Sequence, residues 1–220
     1  MIKDDKRVIN AWCSYDIANS AYNLVITATI FPIYYQESSA RFFQDGIVKV
    51  GGFTTTNTVL YDLTVSLAYL MVVILSPLLS GIADYGGYRR RFMRMFTYLG
   101  GLACLLLYGF TGQNIGYGLS MAAIAVIGYA GSLVFYNSFL PIIATPERHD
   151  RVSARGFAWG YLGSVLLLIV LLLFITFHAY LGIQDALQSV RLSFIVVGIW
   201  WIGVAHIAFH YLVEPQQPYP

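Results

Sequence analysis

Five polar side chains set into an otherwise apolar stretch are the first residues whose types and spacing suggest chemistry. Asp16, Asn19, Ser20, Asn23 and Thr27 recur at i, i+3, i+4, i+7 and i+11, which is one face of a helix, and Tyr15 and Tyr22 flank the stripe. Amides and hydroxyls in this array can donate to and accept from the amino and carboxylate groups of a zwitterion, while Asp16 can carry a proton. The chemistry implied is solute binding and proton movement. The same groups can also serve only to join helices by hydrogen bonds. Asp16 lies close to the cytoplasmic end of the stretch, which lowers its desolvation cost and weakens a proton-carrier role. Asp62, Ser66, Tyr69 and Ser76 share a face of a second stretch, with Asp62 near the outer boundary, where it is either simply solvated or serves coupling or substrate gating. A third face carries Tyr129, Ser132 and Tyr136, with Asn137 beside it and Pro141 one turn later, groups that suit a small polar solute or ordinary helix contacts.

Other chemistries find less support. The lysines are Lys3, Lys6 and Lys49, none preceded by the G-x-x-x-x-G of a phosphate-binding loop, so an ATPase of that type is excluded and transport would be secondary. Cys13 and Cys104 lie in apolar stretches without a C-x-x-C, which indicates packing rather than a disulfide or zinc site. His206 and His210 are four apart with no Glu or Cys nearby in sequence, so no metal and no cofactor are expected, and these residues, like His178, read as interfacial packing. A net charge of +2 gives no nucleic-acid footprint. The chain is not expected to be an enzyme. An intramembrane hydrolase would need Ser132 or Ser164 paired with His178 or His206, without the G-x-S-x-G context, and a non-transporting scaffold subunit is the remaining alternative.

The elements that must position these residues are set by composition. At 58% hydrophobic and 11% charged over 220 residues, the chain cannot cover itself with a water-soluble surface. An all-α integral membrane protein is expected, with the lipid bilayer as its first partner. Apolar runs of about 20 residues cross about 30 Å of hydrocarbon, and six are expected, near residues 15–35, 56–82, 92–110, 115–145, 155–180 and 192–213. The first is no cleaved signal peptide, because Asp16, Asn19 and Asn23 interrupt it. Ten Lys and Arg fall on one side of this arrangement and three on the other, which places both termini in the cytoplasm. Residues 1–213 then form one six-helix bundle. Residues 214–220, with three of the seven prolines, read as the start of a cytoplasmic linker.

Three further patterns sharpen the architecture. Gly156-x-x-x-Gly160-x-x-Gly163 would let another helix approach closely, and the Val165–Phe174 run after it reads as lipid-facing. Thr29-Ile-Phe-Pro32-Ile and Ser138-Phe-Leu-Pro141-Ile match across three spans, and an odd number of spans inverts orientation, as in a 3+3 inverted repeat. Finally, Gly81-Ile-Ala-Asp84-Tyr-Gly86-Gly87-Tyr-Arg89-Arg90 resembles the signature between helices two and three of the major facilitator superfamily, with Ser80, Tyr85 and Tyr88 departing from it.

Trp12-x-x-Tyr15-Asp16-x-Ala18-Asn19-Ser20-x-Tyr22, Tyr136-Asn137-x-x-Leu140-Pro141 and Asp150-Arg151-x-Ser153-x-x-Gly156 resemble the vacuolar amino-acid effluxers of the autophagy pathway and their bacterial relatives, a branch of that superfamily. The resemblance covers essentially the whole chain but only the first half of such a transporter. It implies proton-coupled efflux of amino acids or similar small solutes by rocking of two six-helix halves, with the second half in the same gene, a separate chain or a homodimer. It also implies a cytoplasmic gate at Asp84, Gly87, Arg89 and Arg90, together with Asp150, Arg151 and Arg155, and, for a bacterial chain, the inner membrane. The arginine-bearing signature of the fourth helix found in many proton antiporters is absent.

Overall fold

The structure is a computed structural model that describes residues 3–43, 46–50 and 52–213. Several of its helices begin where the sequence supplies a side-chain cap. Asp5 accepts from the Arg7 N–H at 2.8 Å and opens α1 (Lys6–Ala21). Helical backbone then continues without a break through a π-helical segment, Tyr22–Ile30, into α2 (Phe31–Ala40). The first helical run is therefore longer than the 15–35 expected. A short antiparallel hairpin, β1 (Ile47–Val50) with β2 (Phe53–Thr56), follows and was not foreseen in an all-α chain. Thr56 caps α3 (Asn57–Gly86), which ends at Gly87 in the left-handed region (φ 64°), where a side chain would be strained. Next come α4 (Arg89–Leu106), α5 (Ile115–Ser138), the single turn α6 (Leu140–Ile143), α7 (His149–Thr176) and α8 (Ala186–Tyr211), the last capped by Asp185. The proline-rich tail, 214–220, lies outside the described residues.

Among the described residues, five helical stretches are long and apolar enough to cross a membrane: Asn57–Ala83, Arg89–Gly109, Ile115–Ile143, Pro146–Thr176 and Ala186–Tyr211. The chain is an all-α membrane protein by this measure, the hairpin apart. α1 packs on α7 and α8, α5 packs on α3 and α4, and α4 packs on α8. Close approach at these interfaces depends on glycine. A Cβ on Gly128 of α5 would stand 2.4 Å from Gly100 Cα of α4, and one on Gly198 of α8 would stand 2.9 Å from the Gly101 carbonyl. The outer faces of α3 and α7 carry exposed Val73, Ile74, Leu78, Leu162, Leu166 and Val170, side chains that belong in hydrocarbon.

Prolines inside helices leave carbonyls that other groups occupy. In the π register the N–H five residues on bonds each carbonyl, as Phe31 N–H does to Ile26, so the missing N–H of Pro32 vacates Thr27. The Tyr61 hydroxyl of α3 donates to that carbonyl at 3.3 Å. Pro77 likewise vacates the Val73 carbonyl, and the Ser76 hydroxyl donates to it at 3.2 Å.

Candidate functional site

The polar stripe of α1 faces inward and meets α5 and α7. Asp16, 3% exposed, accepts a hydrogen bond from the Tyr136 hydroxyl of α5 at 2.8 Å. The Tyr136 ring stacks on Trp12 (centroids 4.3 Å apart, 12° between planes) and on Tyr15 (5.0 Å, 30°), so two rings of α1 fix where its hydroxyl points. The Trp12 indole N–H donates at 3.1 Å to the Tyr136 carbonyl, which also accepts from the Phe139 N–H at 3.2 Å where α5 ends. Tyr15 continues the network by bonding Thr97 of α4 at 2.7 Å, and Thr97 in turn donates to the Met93 carbonyl at 2.8 Å. Thr97 was not singled out in the sequence, since a lone hydroxyl in an apolar helix carries no pattern. Trp201 of α8, stacked on Tyr22 at 4.9 Å and 19°, was equally silent.

Asn19, Thr27 and Trp201 each carry a buried side-chain atom without a protein partner. Ser132 Oγ lies 3.3 Å from Asn19 Oδ1, but its proton is already given to the Tyr129 carbonyl at 2.8 Å. Asn19 Nδ2 is buried without a protein partner, and turning the amide by half a rotation would give Nδ2 to Ser132 and leave Oδ1 unpartnered instead. Either way one buried polar atom of Asn19 is left without a protein partner. The α7 glycines close the stripe from the side. A Cβ on Gly156 would stand 2.6 Å from Asp16 Oδ2, and one on Gly160 2.8 Å from Ser20 Oγ, so α1 is the helix that the glycine spacing anticipated.

Farther along, the stripe opens. Asn23 and Thr27 are half-buried in the π segment, and Tyr129, also half-buried, lies with its ring 5.8 Å from that of Tyr22. Tyr69 of α3 is within electrostatic reach of the Tyr22 and Tyr129 hydroxyls. Thus Asp16, Asn19, Ser20, Tyr22, Tyr129 and Tyr136 come together on one side of the bundle core. Asp62 and Asn137 are exposed and stand apart from that network.

The residues expected at a gate divide between two places. Gly87 forms the turn between α3 and α4. The Asp84 side chain lies outside the described residues, and Arg89 starts α4. Arg90 donates to the Phe209 carbonyl of α8, and Arg94 stands over the Phe209 ring at 5.6 Å. Arg151 and Arg155 instead face the start of α1, and Asp150 is exposed in the first turn of α7. A serine–histidine pair is not formed among the described residues. Ser132 and Ser164 bond carbonyls of their own helices, His178 bonds the Ile175 carbonyl, and His206 bridges the Ile202 carbonyl and the Tyr98 hydroxyl.

Comparison with known proteins adds an independent line. A family model described as vacuole effluxer Atg22 like matches residues 4–220. An uncharacterised MFS-type transporter of Bacillus subtilis, YxiO, is 30% identical over 202 residues, covering 91% of this chain and 45% of the relative. Autophagy-related protein 22-1 of Phaeosphaeria nodorum is 20% identical over 97% of this chain and 49% of its own length, and autophagy-related protein 22 of Coccidioides immitis is 24% identical over 67% of this chain. The chain spans about half the length of the first two relatives. No solved structure matches it.

Proposed function

Because the chain belongs to the family of Atg22-like vacuole effluxers, we propose that it is the amino-terminal half of a secondary transporter that moves small polar solutes, amino acids among them, by alternating access coupled to protons. The observation that carries this reading is the enclosed Asp16 carboxyl, held between the first and fourth spans by Tyr136, with the unpartnered amide atom of Asn19 one turn along. A proton carrier and a donor–acceptor site side by side are what coupled binding of a zwitterion requires. The solute enters by the half-buried end of the stripe, at Asn23, Tyr69 and Tyr129.

Counting the first helical run, Lys6–Ala40, as span one brings the number of spans to six in this reading. Exchanging spans one, two and three with four, five and six then maps the packing onto itself: α1 on α7 becomes α5 on α3, α1 on α8 becomes α5 on α4, and α4 on α8 is unchanged. Pro32 and Pro141 also occupy matching places, each near the start of a new helical segment. Both features support a 3+3 inverted repeat, and a second six-helix half, whether in the same chain, a separate chain or a second copy, completes the pathway. Asp84, Gly87, Arg89 and Arg90 form the gate on the cytoplasmic side.

Counterflow of a labelled amino-acid panel into proteoliposomes, with the protein as the cell makes it, tests the proposal. Asn23→Ala should cost about 1–3 kcal/mol in substrate affinity, through a partner left unpaired, whereas Asp16→Asn should flatten the pH dependence of flux and leave binding in place. Exchange of no solute in the panel, or flux in Asp16→Asn with the wild-type pH profile, would overturn it. The close fit of Gly156 over Asp16 favours a second reading, in which the stripe only joins helices. That reading predicts lower yield of folded variants with unchanged affinity in what survives.

A further inference from the structure

Outside the polar stripe, the first turn of α1 and the start of α7 flank a cavity of about 260 Å³, apart from the solute path of the transport reading. Its walls carry Lys6 from α1, Arg148 from the turn before α7, and Arg151 and Arg155 from α7. Its floor includes buried Ile9 and Val152. One carboxylate shares the space: Asp4, 3.9 Å from Arg148. Four cations around one carboxylate repel one another, and like charges at i and i+4, as in Arg151 and Arg155, destabilise the helix that bears them. Such a cluster is stable when an anion sits in its centre.

The cluster is also held in shape. Asp4 is the one non-glycine residue of positive φ among the described residues (64°), and its backbone N–H donates to the Ile143 carbonyl at 2.8 Å while its carboxylate accepts from the Thr145 N–H at 3.3 Å. The start of the chain is thereby tied to the turn that presents Arg148. The Arg155 guanidinium lies 4.9 Å from the centre of the Trp159 ring, which fixes the side chain over the pocket mouth.

What the anion is attached to follows from the helix below. At steps of three and four from Arg151, one face of α7 presents Arg155, Trp159, Leu162, Leu166 and Val170. Leu162, Leu166 and Val170 are 65%, 63% and 59% exposed. Cation, then indole, then aliphatic side chains is the order in which a membrane surface presents phosphate, ester region and acyl chain. A free phosphate would have no use for the lower part of that stripe.

We propose that this pocket binds the phosphate of an anionic phospholipid, whose acyl chains lie along the Trp159–Leu162–Leu166 face of α7. The lipid phosphate offsets part of the repulsion among the four cations and fastens α1 to α7 at the end of the bundle where both helices begin.

Native mass spectrometry and thermal unfolding of the purified protein in neutral detergent test the assignment, with short-chain phosphatidylglycerol, short-chain phosphatidylcholine and inorganic phosphate as separate additives. Phosphatidylglycerol should be retained and raise the melting temperature, and retention should fall as salt rises. The pair Arg151→Gln and Arg155→Gln should weaken it about tenfold or more through lost charge-assisted hydrogen bonds. The pair Arg151→Lys and Arg155→Lys should keep most of the binding, and Arg41→Gln, outside the pocket, should change nothing. Equal retention of phosphatidylcholine, salt-independent retention by the wild-type protein, or unchanged binding in the glutamine pair would overturn the site. Inorganic phosphate binding as tightly as the lipid would overturn its assignment to a lipid.

Discussion

Tyr136 ties three aromatic rings to one carboxyl, so removing its hydroxyl separates packing from hydrogen bonding. Tyr136→Phe keeps the stacks on Trp12 and Tyr15 but leaves Asp16 without its donor, and should cost about 1–3 kcal/mol of stability. Thermal unfolding in detergent measures it, and an unchanged midpoint would mean that Asp16 finds another donor. Gly156→Ala should destabilise by a similar amount, about 1–3 kcal/mol, because a methyl 2.6 Å from Asp16 Oδ2 forces α7 off α1. If Gly156→Ala unfolds at the wild-type temperature, the two helices are less closely packed than the structure has them. At this scale the sequence was partly legible. Periodicity placed Asp16, Asn19 and Ser20 on one face, and the glycine spacing announced a close neighbour. Neither could say that the glycines of α7 meet α1 or that Tyr136, 120 residues away, supplies the donor, because pairing over such separations is decided by tertiary packing. Thr97 and Trp201 join the cluster for the same reason.

Helices were legible where hydrocarbon thickness sets a minimum length, as in α3, α4, α5, α7 and α8, and less so where local chemistry intervenes. The π segment Tyr22–Ile30 leaves no periodic signal, since its five-residue register differs from the α pattern by a fraction of a turn. The hairpin of β1 and β2 falls between spans, and its four-residue strands are too short for an alternating pattern to stand out. Pro32 and Tyr61 give the element scale its experiment. Tyr61→Phe should cost about 1 kcal/mol, by leaving the Thr27 carbonyl open. In a Pro32→Ala background, with an N–H restored to meet that carbonyl, the same change should cost distinctly less. Equal costs in the two backgrounds, read from paired unfolding curves, would detach the proline from the tyrosine.

Over the whole molecule, orientation remains an expectation from charge alone. Ten bases on one side against three on the other predict that green-fluorescent-protein fusions ending in the turn after α3 or in the turn before α7 glow, and that a fusion ending between α4 and α5 stays dark. The reverse pattern would invert the molecule and put the proposed lipid pocket in the opposite leaflet. The bundle is also uneven in its packing. α4, α5 and α8 interlock through glycine contacts, whereas α3 is held mainly through α5 and carries an apolar face along most of its length. That distribution was only partly readable: a run such as Val72–Leu75 looks the same in sequence whether lipid, a partner or the bundle's own core will cover it.

Cys13 and Cys104 are both fully buried, in α1 and α4 respectively. These two thiols are therefore close to silent toward water-borne reagents, and within residues 1–220 a spin label or fluorophore placed on an exposed position will report from that position alone. Paired probes near the ends of α1 and α7 would turn this silence into a ruler. Distances between them, followed as proton gradient and solute are varied, would register whether the two helices part during the working cycle or travel as one.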